Sequence, residues 1–422
     1  MYDQPACRIE RLHYQPTQCH LHNQSAARER WLHYQHAGRQ VIASRYLNMP
    51  AHFSHASCEL LLTTACNLRC SYCIEQDLPV LSMPVEVGVR AIDMFMFLAD
   101  GASTAEITFT GGEALLRFRD LESIVSHVRK TATEHDIACQ FILKTNGTIL
   151  SPQIVDFLSD GSWRVVVSID GTPTSHDRHR KDKSGRPTQK TVAQNIAILL
   201  ERGVECVASM TVHPDECPKV VSNVHELRQM GLSRIDLGPV YGTVRWSEAQ
   251  SLQFADSLNE VAMVIRDEVA RDSYLEIGPL YRESEHVGNA LHDIWGCKAG
   301  TSHLAFLPDG SISGCSSLAM LIPQFPELVI GDVWKGFDDN ALTHLQQLAL
   351  AGQGSRIECQ KCSTKDNCAG GCLAINYSTT RNPLQPPNFY CRTISVIPKA
   401  WNTAWTIEAH EWGQASEPTT EP

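Results

Sequence analysis

Three cysteines with chemical potential stand close together early in the chain. Cys66, Cys70 and Cys73 lie in the stretch LTTACNLRCSYCIE (62–75), with Tyr72 directly before the last of them. A structural zinc ion takes four protein ligands, and a closed iron–sulfur cubane takes four cysteines. Nothing nearby offers a fourth ligand, so three thiolates would leave one iron with an open position for a substrate. A zinc site completed from elsewhere and plain buried thiols are the alternatives.

Seven further cysteines are concentrated near the carboxyl end. They are Cys297, Cys315, Cys359, Cys362, Cys368, Cys372 and Cys391. The chain has sixteen cysteines in all, which is many for a protein in a reducing compartment, where disulfides rarely persist. Residues 354–392 contain few apolar side chains, so a metal centre is the natural way to order them. A zinc ribbon that uses part of this second group is the competing interpretation.

The elements that position the first group follow a regular rhythm. From residue 58, short apolar runs alternate with helical patterns, which gives six β-α units and predicts a parallel sheet with right-handed crossovers. The predicted strands span 58–63, 105–110, 138–145, 163–169, 204–212 and 233–240. Periodicity leaves both an open doubly wound sheet and a partial barrel open. In either fold, functional side chains belong at the carboxyl ends of the strands, where Cys66 lies.

Composition excludes some classes of function. The net charge of -11 is spread along the 422 residues and argues against a nucleic-acid surface. No run of eighteen apolar residues is present, so we expect no membrane span. The first residues lack a basic stretch followed by an apolar one, so we expect no secretory signal and a cytoplasmic location.

The motif CxxxCxxC, with an aromatic residue before its last cysteine and a position at the end of the first strand, resembles the radical S-adenosylmethionine (radical SAM) family. The resemblance covers residues 58 to 285 and implies an α/β fold, a partial (β/α)6 TIM-like barrel. It also implies that the open iron chelates the amino and carboxylate groups of SAM. One electron then cleaves SAM, and the 5′-deoxyadenosyl radical removes a hydrogen atom from the substrate.

Two segments at strand ends resemble further motifs of this family. TFTGGEALL resembles its glycine-rich segment, which implies that Gly111, Gly112 and Glu113 hold the SAM amino group. Glycines also let a backbone approach a ligand closely. KTNGT, with Asn146, resembles a stretch seen in many members. A tight turn before a helix and a plain Asn-Gly turn are the alternatives for the two segments.

The segment after the fourth predicted strand, VSIDGTPTSHDRHRKDKSG, resembles the SIDG motif. The resemblance assigns Ser168 and Arg180 to the SAM carboxylate, which suits the two parallel charge-assisted bonds that an arginine forms with a carboxylate. It also places Asp170 near the ribose hydroxyls and Tyr72 near the adenine.

The second cysteine group resembles the SPASM extension, a small Cys-rich C-terminal domain with two auxiliary [4Fe–4S] clusters. The resemblance assigns the outer cluster to Cys359, Cys362, Cys368 and Cys391. It assigns the inner cluster to Cys297, Cys315 and Cys372, one ligand short of four. His303 is a candidate for the missing ligand, and an open iron is the alternative. Three [4Fe–4S] clusters and SAM are therefore the expected cofactors.

Four domains are expected along the chain. They are an N-terminal segment with a predicted hairpin (1–56), the radical SAM core (57–285), the auxiliary-cluster domain (286–392), and a C-terminal helix with a disordered tail (393–422).

The resemblance predicts a peptide-modifying oxidoreductase. We expect hydrogen-atom abstraction from a ribosomally synthesised precursor peptide and a cross-link, either C–C (including cyclophane) or thioether. An anaerobic sulfatase-maturating, formylglycine-forming enzyme is the alternative, but Ser316 and Ser317 stand where that branch carries an aspartate base after the cysteine. An iron–sulfur electron-transfer or scaffold protein is the alternative of another class. The expected partners are the peptide and a reducing donor such as flavodoxin or ferredoxin, with no nucleic acid and no membrane. The catalytic base cannot be chosen from sequence.

Overall fold

A computed structural model describes most of the chain. The described residues are 55–76, 78–281, 297–350, 357–364, 368 and 370–405. They all belong to one compact unit, Pro50–Pro422. The predicted N-terminal hairpin and the predicted disordered tail lie outside the described residues, and the four domain boundaries stay predictions.

Seven parallel strands follow one another in chain order within an eleven-stranded sheet. They are β1 (His55–Thr63), β2 (Thr104–Gly111), β3 (Ala138–Thr145), β4 (Trp163–Ser168), β5 (Glu205–Val212), β6 (Arg234–Pro239) and β7 (Glu276–Gly278). The first six match the six predicted strands, and the consecutive parallel order is that of a barrel rather than a doubly wound sheet. This confirms the partial (β/α)6 barrel.

Helices connect these strands as the periodicity predicts. They are α1 (Val85–Leu98), α2 (Phe118–His135), α3 (Pro152–Leu158), α4 (Pro173–His179), α5 (Gln189–Glu201), α6 (Val220–Gln229) and α7 (Glu248–Ala270). Ser151 caps α3 by accepting a hydrogen bond from the backbone N–H of Ile154 (3.3 Å), as its position before Pro152 predicts. Ser247 and Gln250 form a capping box at the start of α7.

The two faces of the sheet differ in polarity. Phe141 of β3 and Trp163 of β4 pack with ring centroids 5.0 Å apart, and Phe157 of α3 lies 5.2 Å from the Trp163 ring, so this face is covered by helices. On the other face, the ammonium of Lys144 on β3 lies 2.6 Å from the carboxylate of Glu59 on β1. Because β2 lies between β1 and β3, this ion pair crosses the concave face, which is therefore polar inside.

The C-terminal part continues the same sheet. Its strands are β8 (His303–Phe306), β9 (Ser311–Ser313), β10 (Gly331–Asp332) and β11 (Gly336–Phe337), and its helices are α8 (Ser316–Ala319), α9 (Asp339–Leu350), α10 (Ile357–Gln360), α11 (Leu373–Thr380) and α12 (Asn388–Trp405). β8 pairs parallel with β1, and β8 and β9 form the predicted hairpin around Asp309 and Gly310. The region of the second cysteine group is thus joined to the open edge of the barrel.

Helix α12 anchors the C-terminal part on α7. The Phe389 ring stacks on Trp246 at 5.4 Å, and the indole N–H groups of Trp401 and Trp405 donate to the carbonyls of Tyr281 and Leu280. Trp401 and Trp405 therefore share one face of a helix, as their spacing predicts, while Trp412 lies outside the described residues. In the described part of the chain, no helix has the length and apolar composition needed to cross a membrane.

Candidate functional site

The loop with Cys66, Cys70 and Cys73 follows β1 directly and is held on both sides. The backbone N–H groups of Arg69 and Ser71 donate to the carbonyls of Lys181 (2.8 Å) and His179 (2.9 Å). On the other side, the N–H of Thr64 donates to Leu81 (3.0 Å). The loop, here called the Cys loop (residues 64–75), is therefore fixed at the carboxyl end of the barrel, as the sequence predicts.

Each of the three sulfurs has a hydrogen-bond donor nearby. Cys66 Sγ accepts from the N–H of Leu68 (3.4 Å) and from Asn146 Nδ2 (3.6 Å). The guanidinium of Arg180 donates to Cys70, and a backbone N–H donates to Cys73. Burial raises the pKa of all three thiols, that of Cys73 to about 11, and these donors oppose the rise. Thiolate ligands of iron–sulfur clusters are stabilised by such donors, so the three cysteines fit a cluster bound at three corners.

Single-ion binding is a different question. Within the described ranges, no three or more His, Cys, Asp or Glu side chains converge closely enough to hold one metal ion.

Gly111 and Gly112 bring β2 against the base of the Cys loop. Gly111 has φ +124°, and a Cβ there would overlap the carbonyl of Thr63, while a Cβ on Gly112 would overlap that of Ala65. The N–H groups of Gly112 and Glu113 donate to those same two carbonyls at 2.8 and 2.9 Å. The close approach predicted for a ligand is thus made, in this structure, by the protein backbone. A SAM contact by Gly111 or Gly112 stays a prediction.

Glu113 ties the end of β2 to the end of β3. Its carboxylate is 1% exposed and accepts hydrogen bonds from Thr145 Oγ1 (2.8 Å), from the N–H of Asn146 (2.7 Å) and from the N–H of Leu115 (3.1 Å). Burial raises the pKa of Glu113, and these three donors counteract it. Both oxygens are engaged by the protein, so a contact with the SAM amino group would have to be added to these bonds and stays a prediction.

Asn146 connects that clamp to the Cys loop. Besides donating to Cys66, its amide donates to Asn67 Oδ1 (2.8 Å), and Asn67 Nδ2 donates to Thr148 Oγ1 (2.8 Å). The Asn-Gly turn therefore has a side chain with a positioning role at the sulfur of Cys66.

Asp170 and Arg180 form a buried ion pair beneath the Cys loop. Arg180 Nε lies 2.8 Å from Asp170 Oδ2 and Nη2 lies 3.1 Å from Oδ1. Asp170 also accepts from Tyr72 OH (2.7 Å) and from the N–H of Thr211 (2.9 Å). Burial works against both charges, but each charge favours the other, so the pKa of Asp170 is lowered and that of Arg180 is raised.

This arrangement changes the physical meaning of two predicted contacts. The arginine fork that the resemblance assigns to the SAM carboxylate is occupied by Asp170, and both Asp170 oxygens assigned to the ribose are occupied by the protein. Both roles stay predictions, and each would require a shared or exchanged hydrogen bond. Ser168 is half-buried at the end of β4 and is registered with Ser209 of β5, beside the cavity described next.

A cavity of about 540 Å³ opens at the carboxyl ends of β5, β6 and β7. It is lined by Tyr72, Cys73, Ile74, Glu75, Ser209, Met210, Thr211, Asp236, Leu237, Gly238, Pro239, Val240, Tyr241, Gly278, Pro279 and Tyr281. This volume suits a small-molecule ligand. Its position beside Cys73 and Tyr72 agrees with the expected site of SAM and substrate.

Sequence reasoning missed several residues of this cavity. Glu75 has a carboxylate oxygen that is buried without a partner, and burial raises its pKa to about 7. Tyr241 closes another wall, and its OH donates to Ser317 Oγ at 3.2 Å. Only Glu75 had a signal, namely its position two residues after Cys73; Tyr241 lies in a loop with no recognisable motif.

Three of the C-terminal cysteines come together. Cys315 is buried, and the neighbouring charges of Glu59, Cys372 and Cys297 add to burial in raising its pKa. Its Sγ accepts a hydrogen bond from the N–H of Leu318 at 3.4 Å. These three cysteines are the ones assigned to the inner cluster, and their role as ligands stays a prediction.

The remaining C-terminal cysteines are distributed as follows. Cys368 and Cys391 lie close enough to Tyr390 for their charges, after burial and Cys372, to raise the pKa of its phenol. Cys359 and Cys362 are adjacent at the end of α10, where the N–H of Cys362 donates to the carbonyl of Cys359 (3.0 Å). The outer cluster assigned to these four cysteines stays a prediction.

His303 is engaged elsewhere. Its Nδ1 lies 2.6 Å from Ser57 Oγ and its Nε2 lies 3.1 Å from Glu59 Oε2. With both ring nitrogens bonded to protein groups, the structure does not support His303 as the fourth ligand of the inner cluster.

Comparison with known proteins places these features in a family. Residues 60–227 match the Radical SAM superfamily. A serine-type anaerobic sulfatase-maturating enzyme from Klebsiella aerogenes is 24% identical over 374 residues, which cover 81% of this chain and 88% of that protein. The enzyme of the same name from Bacteroides thetaiotaomicron is 31% identical over 157 residues, covering 35% of this chain but only 37% of its own length.

Solved structures share the fold. The structure of anSMEcpe with bound AdoMet and Kp18Cys peptide has a TM-score of 0.68 at 19% identity and covers 84% of this chain and all (100%) of that one. Streptococcus suis SuiB bound to precursor peptide SuiA has a TM-score of 0.58 at 15% identity, covering 82% and 77% of the two chains. The chain is therefore a radical SAM enzyme whose fold resembles that of the SPASM-domain peptide maturases over most of its length.

Proposed function

We propose that this radical SAM enzyme is a SPASM-type maturase that acts on a ribosomally synthesised precursor peptide and installs a cross-link, either C–C (including cyclophane) or thioether. Cys66, Cys70 and Cys73 would hold the cluster that binds SAM. The two C-terminal groups of cysteines would hold auxiliary [4Fe–4S] clusters. The proposed compartment is the cytoplasm.

One observation carries the proposal. The cavity has the Cys loop on one side, through Tyr72 and Cys73, and Tyr241 on another, and Tyr241 is bonded to Ser317 in the loop that follows Cys315. A peptide residue in this cavity would lie between the two cysteine groups. Such a position suits a two-electron oxidation, which needs a radical source on one side and an electron acceptor on the other.

The overall change balances as follows. SAM bound to the reduced first cluster supplies a 5′-deoxyadenosyl radical, which removes one hydrogen atom from the peptide. Formation of the new bond then releases one proton and one electron. We assign the electron to the auxiliary centre next to Tyr241. The protein walls of the cavity would keep water and other reductants away from the peptide radical.

The residues after Cys315 favour a cross-link over formylglycine. Ser316 and Ser317 provide no carboxylate there, and the nearest one, Glu59, accepts a 2.6 Å hydrogen bond from the N–H of Ser316. Burial alone would raise the pKa of Glu59, but Lys144 and His303 outweigh burial and hold that pKa well below its usual range. A carboxylate held in its charged form this firmly is a poor proton acceptor.

Formylglycine formation is the second candidate. It is supported by the extent of the alignment with the Klebsiella aerogenes sulfatase-maturating enzyme, which covers 88% of that protein. In that reaction the substrate would be a Ser or Cys side chain of a sulfatase, and the same cavity would receive it.

One experiment separates these functions. The anaerobically reconstituted enzyme is incubated with SAM, dithionite and either the short peptides encoded beside its gene or a sulfatase-derived peptide containing Ser or Cys. A cross-linked product has lost two hydrogen atoms and does not react with a hydrazide, whereas formylglycine forms a hydrazone. If the fully loaded protein releases no 5′-deoxyadenosine, the remaining alternative, an iron–sulfur electron-transfer or scaffold protein, is favoured instead.

A further inference from the structure

A concentration of positive charge lies beside the Cys loop. Residues 178–190 contain six Lys or Arg residues and one acidic residue, Asp182. The whole chain has 36 Lys and Arg against 47 Asp and Glu, so this segment runs against the overall charge. Neither the proposed SAM contacts nor the fold accounts for most of these charges.

Only some of the six are committed to partners. Arg180 is buried against Asp170, and Arg178 pairs with Glu216 at 2.9 Å. By contrast, Lys181, Lys183 and Lys190 are exposed, and no carboxylate in the described ranges lies within ion-pair distance of them. Arg186, whose side chain is 76% exposed, and Arg69 of the Cys loop, which is also exposed, add to the same surface.

A tight hairpin presents these charges. Lys181 pairs with Pro187, and Asp182 Oδ1 accepts from the N–H groups of Ser184 (2.8 Å) and Arg186 (2.9 Å), which fixes the turn. The hairpin, here called the basic hairpin (residues 181–187), is bonded to the Cys loop through the N–H of Arg69 and the carbonyl of Lys181 (2.8 Å). The charges are therefore held against the backbone that carries the cysteines.

A polar groove between the basic hairpin and the Cys loop leads toward Cys66. It has a volume of about 350 Å³, and its lining includes Asn67, Thr148 and Arg186. Asn67 and Thr148 are joined at 2.8 Å, Asn67 accepts from Asn146 at 2.8 Å, and Asn146 donates to Cys66 Sγ at 3.6 Å. A hydrogen-bonded path thus connects a cluster-ligand sulfur with the outer surface at the groove.

We propose that the basic hairpin and this groove are the docking surface for an acidic one-electron carrier protein of the flavodoxin type. The inference rests on the proposed function, since SAM cleavage consumes one electron per turnover, and the carrier is oxidised by that one electron. An acidic carrier would be repelled by the negative charge of the chain as a whole and attracted to this surface. Complementary charge of this kind raises association rates by about 10- to 1,000-fold.

Charge reversal on the hairpin tests the proposal with reduced flavodoxin as the probe. The holoenzyme variant Lys181→Glu/Lys183→Glu is compared with Lys130→Glu/Arg266→Glu. Lys130 and Arg266 lie in the last turns of α2 and α7, which lead to the amino ends of β3 and β7, so the control changes the same charge at the opposite end of the barrel.

At low ionic strength we expect the hairpin variant to bind flavodoxin about tenfold more weakly than wild type and to form 5′-deoxyadenosine about tenfold more slowly with flavodoxin as donor. The difference should shrink in high salt, because exposed charges are screened. With dithionite as donor, the two enzymes should react at the same rate. The control variant should match wild type throughout.

Carbodiimide cross-linking gives a readout that does not depend on catalysis. In the wild-type complex, flavodoxin carboxylates should be joined to Lys181, Lys183 or Lys190. Wild-type flavodoxin affinity in the hairpin variant, or cross-links confined to lysines elsewhere, would overturn the docking proposal. Absence of 5′-deoxyadenosine with dithionite would instead defeat the proposed function, while binding and cross-linking would still test the surface.

Discussion

Replacing Asp170 by alanine should destabilise the protein far more than the same change in an exposed ion pair. Asp170 is 4% exposed and Arg180 is 7% exposed. The carboxylate accepts hydrogen bonds from the Arg180 guanidinium, from Tyr72 OH and from the N–H of Thr211. Its removal leaves a buried guanidinium without a counter-ion and two buried donors without an acceptor.

The magnitude follows from the burial of the pair. Removing one partner of a buried ion pair costs about 3–5 kcal/mol, because the other charge stays desolvated. The matched control is Asp156→Ala, since Asp156 pairs with Arg202 at 2.8 Å with side chains 69% and 49% exposed. An exposed pair contributes about 0–1 kcal/mol. The two alanine variants should therefore differ by at least about 2 kcal/mol.

Urea unfolding of the cluster-loaded proteins, followed anaerobically by far-ultraviolet circular dichroism, measures this difference. A third variant, Asp170→Asn, keeps much of the shape and removes the charge, so it reports how much of the loss is electrostatic. If Asp170→Ala and Asp156→Ala lower the free energy of unfolding by similar amounts, Arg180 is not committed to Asp170. The arginine would then be free for a ligand, as the sequence resemblance first suggested.

Three further changes test other parts of the site. Burial lowers the pKa of His176 to about 4, so its neutral ring stabilises the fold above pH 6.5; roughly 3 kcal/mol of this should be lost as pH falls from 6.5 to 4, and His176→Gln should flatten the decline in the urea midpoint. Gly112→Ala forces a Cβ against the carbonyl of Ala65 and should cost about 1–3 kcal/mol and lower the iron bound by the Cys loop. Cys362→Ala should lower iron content by up to one cluster, while electron paramagnetic resonance still detects the first cluster.

Each of these has a control and a contrary outcome. His225 is exposed on α6, so His225→Gln should leave the pH dependence as in wild type; an unchanged profile for His176→Gln would be evidence against the buried neutral ring. Gly238 has open space around its Cβ position, so Gly238→Ala should be tolerated, and equal losses in the two glycine variants would contradict the steric argument. Full iron content in Cys362→Ala would remove Cys362 from the outer cluster.

The barrel could be predicted from sequence because its strands are buried on both faces for much of their length. Runs such as ACQFILKT at 138–145 are then apolar enough to be recognised, and β3 has those bounds. The strand β7 was missed because only three residues, Glu276–Gly278, form it. The helix α4 was missed because seven mostly polar residues carry no clear apolar period.

That short helix explains why the Asp170–Arg180 pair was not predicted. Both residues were assigned to the site from their motif, but to a ligand rather than to each other. Helix α4 turns the chain back between them and brings the arginine onto the carboxylate.

The polar group on the concave face of the barrel was out of reach for a different reason. Glu59 lies in an otherwise apolar run, and its partners Lys144 and His303 are 85 and 244 residues away. Only the register of β1 with its neighbours brings these side chains together. The same register decides that His303 bonds Glu59 and Ser57 rather than the inner cysteines.

The most direct test of the central claim, that Cys66, Cys70 and Cys73 hold a cluster with an iron open to SAM, is the yield of 5′-deoxyadenosine. Reconstituted wild-type enzyme and Cys73→Ala are incubated anaerobically with SAM and dithionite, and the product is measured by mass spectrometry. We predict release by the wild type and none by Cys73→Ala, with the auxiliary clusters still loaded in the variant. Retained cleavage in Cys73→Ala, or no cleavage by fully loaded wild type, would contradict the account.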